Sequence, residues 1–173
     1  DYPAMLARVT AAMPAPPAIV VVRGAAPAGQ TGFAALTGAA QPVDWPVLDP
    51  DAVRMMLYTS GTTGRPKGVL HSHNSIHALI HQIGRHWRIG SGGTFLVPSP
   101  IAHIGGSIYA FECPILLGTT AVLMERWNPD AAVGLLVAEH CSHMAGATPF
   151  LEQILAAAER AQTRLPDLEV FIC

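Results

Sequence analysis

Thr59, Ser60, Thr62 and Thr63 stand with Gly61, Gly64 and Gly68 around Lys67, the only lysine of the chain, in a stretch bounded by Leu57 and Val69. Glycines let a backbone turn through conformations that a Cβ forbids, so successive N–H groups can point into one concavity. Short hydroxyls at the rim and one full positive charge complete a cradle for a polyphosphate, whose oxygens take many convergent donors. An ordinary surface loop has a similar composition. A Walker loop needs a hydroxyl directly after its lysine, whereas Gly68 follows Lys67. A nucleophile elbow needs Gly-x-Ser-x-Gly, and neither Ser60 nor Ser107 has that frame.

His103 is the second group with chemistry to offer. It lies in Pro98-Ser99-Pro100-Ile101-Ala102-His103-Ile104-Gly105-Gly106, and a loop framed by Pro and Gly can present an imidazole that donates to a carboxylate oxygen or swings aside as a gate. His71, His73, His77 and His81 raise a metal reading, since His77 and His81 fall one turn apart on a helix. No cysteine or carboxylate nearby in sequence completes such a site, so the expectation is no metal and four exposed or hydrogen-bonded histidines.

The elements that must position these groups alternate. Helical spacing over 2–13 puts Met5, Leu6, Val9 and Met13 on one face, until Pro14 stops it. Ala18 to Val22 reads as a short strand buried on both faces, and 24–50 as loop with one helical turn near Phe33. Strands are expected at 53–59 and 68–72, on either side of the glycine loop, then a helix over 75–87 capped by Asn74. A strand at 94–97, a helix over 106–117 disturbed near Pro114, a strand at 120–124 and a helix from Pro129 capped by Asn128 follow. The pattern closes with strands at 143–146 and 168–172 around a helix over 149–162. Strands alternating with helices imply a layered α/β fold with a largely parallel sheet and flanking helices.

The chain has 173 residues, a net charge of −2 and no basic field, which excludes a nucleic-acid partner. Half of the residues are apolar and only 13% are charged, against roughly 25% in ordinary soluble domains. So thin a polar coat implies a covered surface: a homo-oligomer joined through exposed apolar area, or a piece of something larger. No apolar run reaches the ~20 residues of a membrane span, and no signal peptide is expected. Three widely spaced cysteines read as reduced thiols of a cytoplasmic protein.

Thr59-Ser60-Gly61-Thr62-Thr63-Gly64-Arg65-Pro66-Lys67-Gly68 resembles, without gap or exception, the phosphate-binding signature of the adenylate-forming superfamily, which includes acyl- and aryl-CoA synthetases. The resemblance implies that Thr59, Ser60, Gly61, Thr62, Thr63, Gly64 and Lys67 grip the β- and γ-phosphates of ATP. The segment from Pro98 to Gly106 is similar to the second signature of that superfamily. By resemblance it places His103 beside the acyl group as the catalytic histidine, with Ile104, Gly105, Gly106 and Ser107 flanking the acid. Gly146 to Leu151 looks like one wall of the carboxylate pocket, with Ala147, Thr148 and Pro149 in contact with the substrate.

The implied reaction joins a small carboxylic acid to coenzyme A. ATP first gives an acyl-adenylate and pyrophosphate, with Mg²⁺ bridging phosphate oxygens, and the thiol of CoA then displaces AMP. Amino-acid-activating relatives carry an Asp where this chain has Ile104, so an uncharged acyl or aryl tail is expected. The likeness is good from about Val53 onward. On this reading residues 1–50 are a leading segment and 51–173 the AMP-binding core, within a layered α/β N-terminal domain. The later signatures of the superfamily have no match, so the expectation is a middle fragment without the C-terminal domain, inactive by itself. The alternatives from other classes are a non-catalytic nucleotide-binding module and a histidine-rich metal-binding protein.

Overall fold

The structure, a computed structural model, describes residues 2–38, 41–60 and 64–173. The chain divides into two units at Val47/Leu48. The first contains helix α1 (Tyr2–Thr10), strands β1 (Val20–Val21) and β2 (Thr31–Gly32), which pair in parallel, and helix α2 (Phe33–Gly38). α1 ends earlier than the apolar spacing suggests. Ala12 and Met13 already donate to the carbonyls three residues back, a tightening that fits the bias against α geometry ahead of Pro14. Ala18–Val22 is not a strand buried on both faces: only Val20 and Val21 pair, and Val20 and Val22 are exposed. β2 lacks the apolar pattern that marks a strand in sequence.

The second unit opens with an antiparallel hairpin, β3 (Val53–Thr59) and β4 (Lys67–Ser72), whose ladder ends on the Thr59–Lys67 pair. Helix α3 (His73–His86) follows at once. Its cap is Ser72 rather than Asn74, because Ser72 and Ser75 exchange both bonds of a capping box. Asn74 instead donates from Nδ2 to Asp51 at 2.7 Å, tying the helix start to the segment that leads into β3.

Four parallel strands then form a separate sheet: β5 (Thr94–Val97), β6 (Thr120–Leu123), β7 (His143–Ala145) and β8 (Val170–Ile172), in the order β6-β5-β7-β8. The chain runs from β5 to β6 through α4 (Ile104–Ser107), a π turn (Ile108–Glu112) and α5 (Cys113–Leu117). Pro114 does not break this helical run. It sits in the first turn of α5, and the irregularity lies just ahead of it, where Cys113 N–H donates to Ile108 O. A proline cannot donate to the carbonyl four residues back, and the wider turn takes up that lost bond. α6 (Pro129–Ala138), capped by Asn128, and α7 (Thr148–Arg160) are the next two crossovers.

Alternation along β5 divides the core. Leu96 and Met144 face α6 and α7 with Val133, Leu136 and Ile154, whereas Phe95 and Val97 face α3 and the helical run with Ile76, Ile80, Tyr109 and Cys113. The architecture is therefore layered α/β, with a parallel sheet between helices. The outer face of the hairpin stays open: Met56 and Leu70, paired across the ladder, and Tyr58, opposite Gly68, are all exposed. Among the described residues no helix is long and apolar enough to cross a membrane.

Cys113 and Cys141 are buried and Cys173 is exposed. Burial, reinforced by Glu112, pushes the Cys113 thiol from 9.0 up to about 12, and burial with Glu139 moves Cys141 up to about 11. Burial, with Cys113 nearby, raises the Tyr109 phenol from 10.0 to about 12. All three are held neutral by the fold, so their contribution is complete below the unfolded values and disappears as pH climbs through the folded ones. The expected result is a denaturation midpoint that is level near neutrality and falls steadily from about pH 9 towards 12. Midpoints flat to pH 11 in guanidinium titrations, followed by tryptophan fluorescence, would contradict it.

Candidate active site

The strand order places the site. From β5 the chain moves to one side, to β6, and then crosses back beyond β5 to β7 and β8. The switch point therefore lies between β5 and β7, and in open parallel sheets ligands bind outside the carboxyl ends of the strands at that point. The segment carrying His103 leaves the carboxyl end of β5, and Gly146-Ala147 leaves that of β7. The two meet there: Ser99, Pro100, His103, Gly105, Ala145, Gly146, Ala147 and Phe150 line a cavity of about 400 Å³.

His103 is shared with a second cavity, of about 250 Å³, lined on the hairpin side by Leu57, Thr59, Val69 and His71 and on the loop side by Ala102, His103 and Ile104. One imidazole thus borders both the β3–β4 hairpin and the β7 segment. Its orientation is set by the backbone, since the side chain caps α4 and Nδ1 accepts from the Gly105 N–H at 3.1 Å. An Nδ1 that accepts carries no proton, so in the neutral ring Nε2 holds it and is the donor.

Gly106 makes the presentation possible. A Cβ there would overlap the carbonyl oxygen of Pro100 and lie 2.8 Å from that of Ser99. Gly146 is close-packed as well, since a Cβ would come within 3.2 Å of the Phe150 side chain.

Thr59 and Lys67 face each other across the last rung of the hairpin, and Gly64 takes a φ of +79°, a left-handed turn that suits glycine. Ser60 is exposed at the end of β3. Gly61, Thr62 and Thr63 lie outside the described residues. Ser107 does not join His103. It lines a different cavity, of about 590 Å³, with Arg54, His73, His77 and Glu112. Thr148 and Pro149 open α7 and are exposed, outside the linings of both His103 cavities.

Arg54, His71 and Glu112 carry no signal in a motif, and Ala102 stands only as part of the segment around His103. His71 could have been found from alternation, since Leu57, Thr59, Val69 and His71 share one hairpin face by register. The link between Arg54 and Glu112 could not. Arg54 on β3 donates Nη1 to Oε2 at 3.3 Å and Nη2 to Oε1 at 2.5 Å of Glu112, 58 positions away on the π turn. Glu112 is 5% exposed. This bidentate pair fastens the hairpin to the helical run that starts beside His103. Among the described residues no group of three or more His, Cys, Asp or Glu is placed to hold a metal ion.

The loop of the β3–β4 hairpin carries the sequence that resembles the adenylate-forming superfamily, and the fold is the layered α/β arrangement expected with it. The AMP-binding enzyme family matches residues 3–173, and the chain belongs to that family. It is 35% identical over 123 residues to the medium-chain fatty-acid–CoA ligase of Escherichia coli (strain K12), covering 71% of this chain and 22% of that protein. It is 40% identical over 76 residues to the mitochondrial malonate–CoA ligase of Homo sapiens, covering 44% of this chain and 13% of the relative. In fold it resembles a solved candidate long-chain-fatty-acid CoA ligase from Rhodopseudomonas palustris. The TM-score is 0.83 at 23% identity, over 99% of this chain and 42% of that one. The chain thus spans less than a quarter of the length of the curated relatives it matches.

Proposed function

We propose that this chain forms the phosphate-gripping and acid-presenting part of an AMP-forming acid–thiol ligase, which joins a carboxylic acid to coenzyme A at the expense of ATP. The observation that carries the reading is His103, capped so that Nε2–H is its free donor and shared between a cavity under the phosphate hairpin and one against Ala147. In the first half-reaction the acid attacks the α-phosphorus and pyrophosphate leaves. These side chains form no covalent bond in that step; they position groups and neutralise charge. Lys67, Thr59 and Ser60, with Gly61, Thr62, Thr63 and Gly64 of the same motif, hold the departing phosphates. His103 donates Nε2–H to the acid carboxylate, and Ile104, Gly105 and Ala147 wall it in.

No Asp or Glu lines either His103 cavity among the described residues. A Mg²⁺ ion, when bound with ATP, would supply charge neutralisation to the phosphates. Coenzyme A would bring the thiol of the second half-reaction. The setting we assign is cytoplasmic.

The acid is taken to have an uncharged tail. Leu57, Val69, Ile104, Ala145, Ala147 and Phe150 dominate the two linings, and neither contains Lys or Arg among the described residues. A diacid such as malonate would leave its second carboxylate unpaired and desolvated, so the fatty-acid relative is the better guide to the substrate class.

ATP–pyrophosphate exchange by the intact protein with straight-chain and aromatic acids tests the reading; no exchange with any of them sinks it. Lys67→Ala should slow exchange roughly ten- to a hundredfold, the size of one lost charged hydrogen bond. It should leave thioester formation from supplied acyl-adenylate nearly unchanged. His103→Ala should raise the KM for the acid and leave that for ATP in place. A change in the ATP term alone would remove His103 from the acid pocket.

A further inference from the structure

Ile76, Ile80 and Gly84 form the buried stripe of α3. His77 and His81 follow one position behind, on the more exposed side of the helix. Their Nε2 atoms are 3.0 Å apart. The ring centres are 4.2 Å apart with planes at 60°, so the rings spread away from a narrow gap and the two nitrogens lean towards each other. We infer that His77 and His81 form a two-imidazole chelate for a divalent transition-metal ion of tetragonal preference, copper(II) or nickel(II).

The separation decides the class of ion. With metal–nitrogen bonds of about 2.0–2.1 Å, two ligands at a right angle lie ~2.9 Å apart and two at the tetrahedral angle ~3.3 Å apart. The 3.0 Å gap fits adjacent corners of a square and is tight for tetrahedral zinc. The helix supplies the preorganisation, since residues four apart stack on one face with little freedom to separate. In the metal-free pair one Nε2 carries the proton that the other accepts. Binding moves that proton to Nδ1 of the same ring, leaving two neutral imidazoles with both Nε2 lone pairs directed at the ion.

Water fills the remaining corners, because no third His, Cys, Asp or Glu completes a cluster among the described residues. Neither histidine lines the two cavities that His103 shares. The ion would therefore staple two turns of α3 and take no part in acid activation.

The test is a copper(II) chloride titration of the chain in a Cys173→Ser background, which removes the exposed thiol, followed by calorimetry and electron paramagnetic resonance. The expected result is one ion per chain, a spectrum split by two equatorial nitrogens, and a rise in thermal midpoint with metal. His77→Gln and His81→Gln should each turn a chelate into a single ligand. Each should weaken binding roughly a hundredfold, by loss of the effective concentration of the second imidazole, and abolish the two-nitrogen splitting. His86→Gln and His140→Gln, exposed histidines elsewhere, should change neither readout. Circular dichroism of the metal-free variants separates lost ligands from lost helix. Absence of the two-nitrogen signal, its survival in either Gln variant, or displacement of copper by equimolar zinc would each overturn the proposal.

Discussion

Gly106→Ala should abolish most of the ATP–pyrophosphate exchange proposed for the intact protein and destabilise its fold, while the same change one residue earlier should be mild. A Cβ at 106 meets backbone, the carbonyls of Pro100 and Ser99. Backbone cannot rotate out of the way as a side chain can, so the turn between β5 and α4 has to open. Overpacking in a filled interior costs typically 1–3 kcal/mol and occasionally more, and a rigid carbonyl pair puts this case at about 3 kcal/mol. The same turn presents His103, and displacing a positioned group by about 1 Å can lower turnover on the order of a hundredfold.

At Gly105 the nearest atom to a new Cβ is Nδ1 of His103 itself, at 3.4 Å, an ordinary contact. Gly134 is the opposite extreme, lying in α6 with nothing within 4 Å. Gly134→Ala should stabilise by about 0.5–1 kcal/mol. Guanidinium midpoints for the three variants, with exchange rates in the intact enzyme, check the order. Equal behaviour of the 105 and 106 variants would mean that the close approach does not govern this turn.

Removing Arg54 should be nearly as damaging, through charge rather than volume. Glu112 is 5% exposed and takes both guanidinium bonds, so Arg54→Met leaves a buried carboxylate without its partner. Breaking a buried pair from one side costs about 3–5 kcal/mol. Because the Arg54 side chain keeps 32% of its surface in water, the lower end, about 3 kcal/mol, is expected, or roughly 10 °C in Tm. Glu112→Leu alone strands the less buried arginine and should cost less.

The double variant Arg54→Met with Glu112→Leu should recover much of the loss, since a well-packed apolar pair often matches a buried ion pair. Function should not recover equally. The pair fastens the β3–β4 hairpin to the helical run beside His103, and a greasy contact lacks the fixed two-pronged geometry. A double-mutant cycle in Tm, run beside one in ATP–pyrophosphate exchange, separates the two effects. Additive losses in Tm would show that the two residues act independently.

The strands at 53–59 and 94–97, the cap at Asn128 and the helices over α3, α6 and α7 were legible because each rests on local chemistry: apolar runs, a capping side chain or a 3.6-residue period. The Ser72 cap was missed because two candidate caps stood two residues apart, and only the reciprocal bond from Ser75 separates them. The buried strand expected over 18–22 failed for a different reason. An apolar run records what a segment could bury, and among the described residues nothing in the first unit covers Val20 and Val22.

The sequence by itself determined the chemical inventory: a glycine- and hydroxyl-rich loop with the single lysine, a histidine framed by Pro and Gly, and the alternation of strands and helices. Those features depend on residues close together in the chain. Only the tertiary structure decided which of them meet. Strand order puts β7 beside β5 rather than beyond β6, and so brings Ala147 to His103 across more than forty positions. The helical run puts Ser107 in a cavity with Arg54 and Glu112 and not in the cavities that His103 lines. Strand order and helix rotation are set by burying both faces of one sheet at once, a condition on the whole chain that no short motif records.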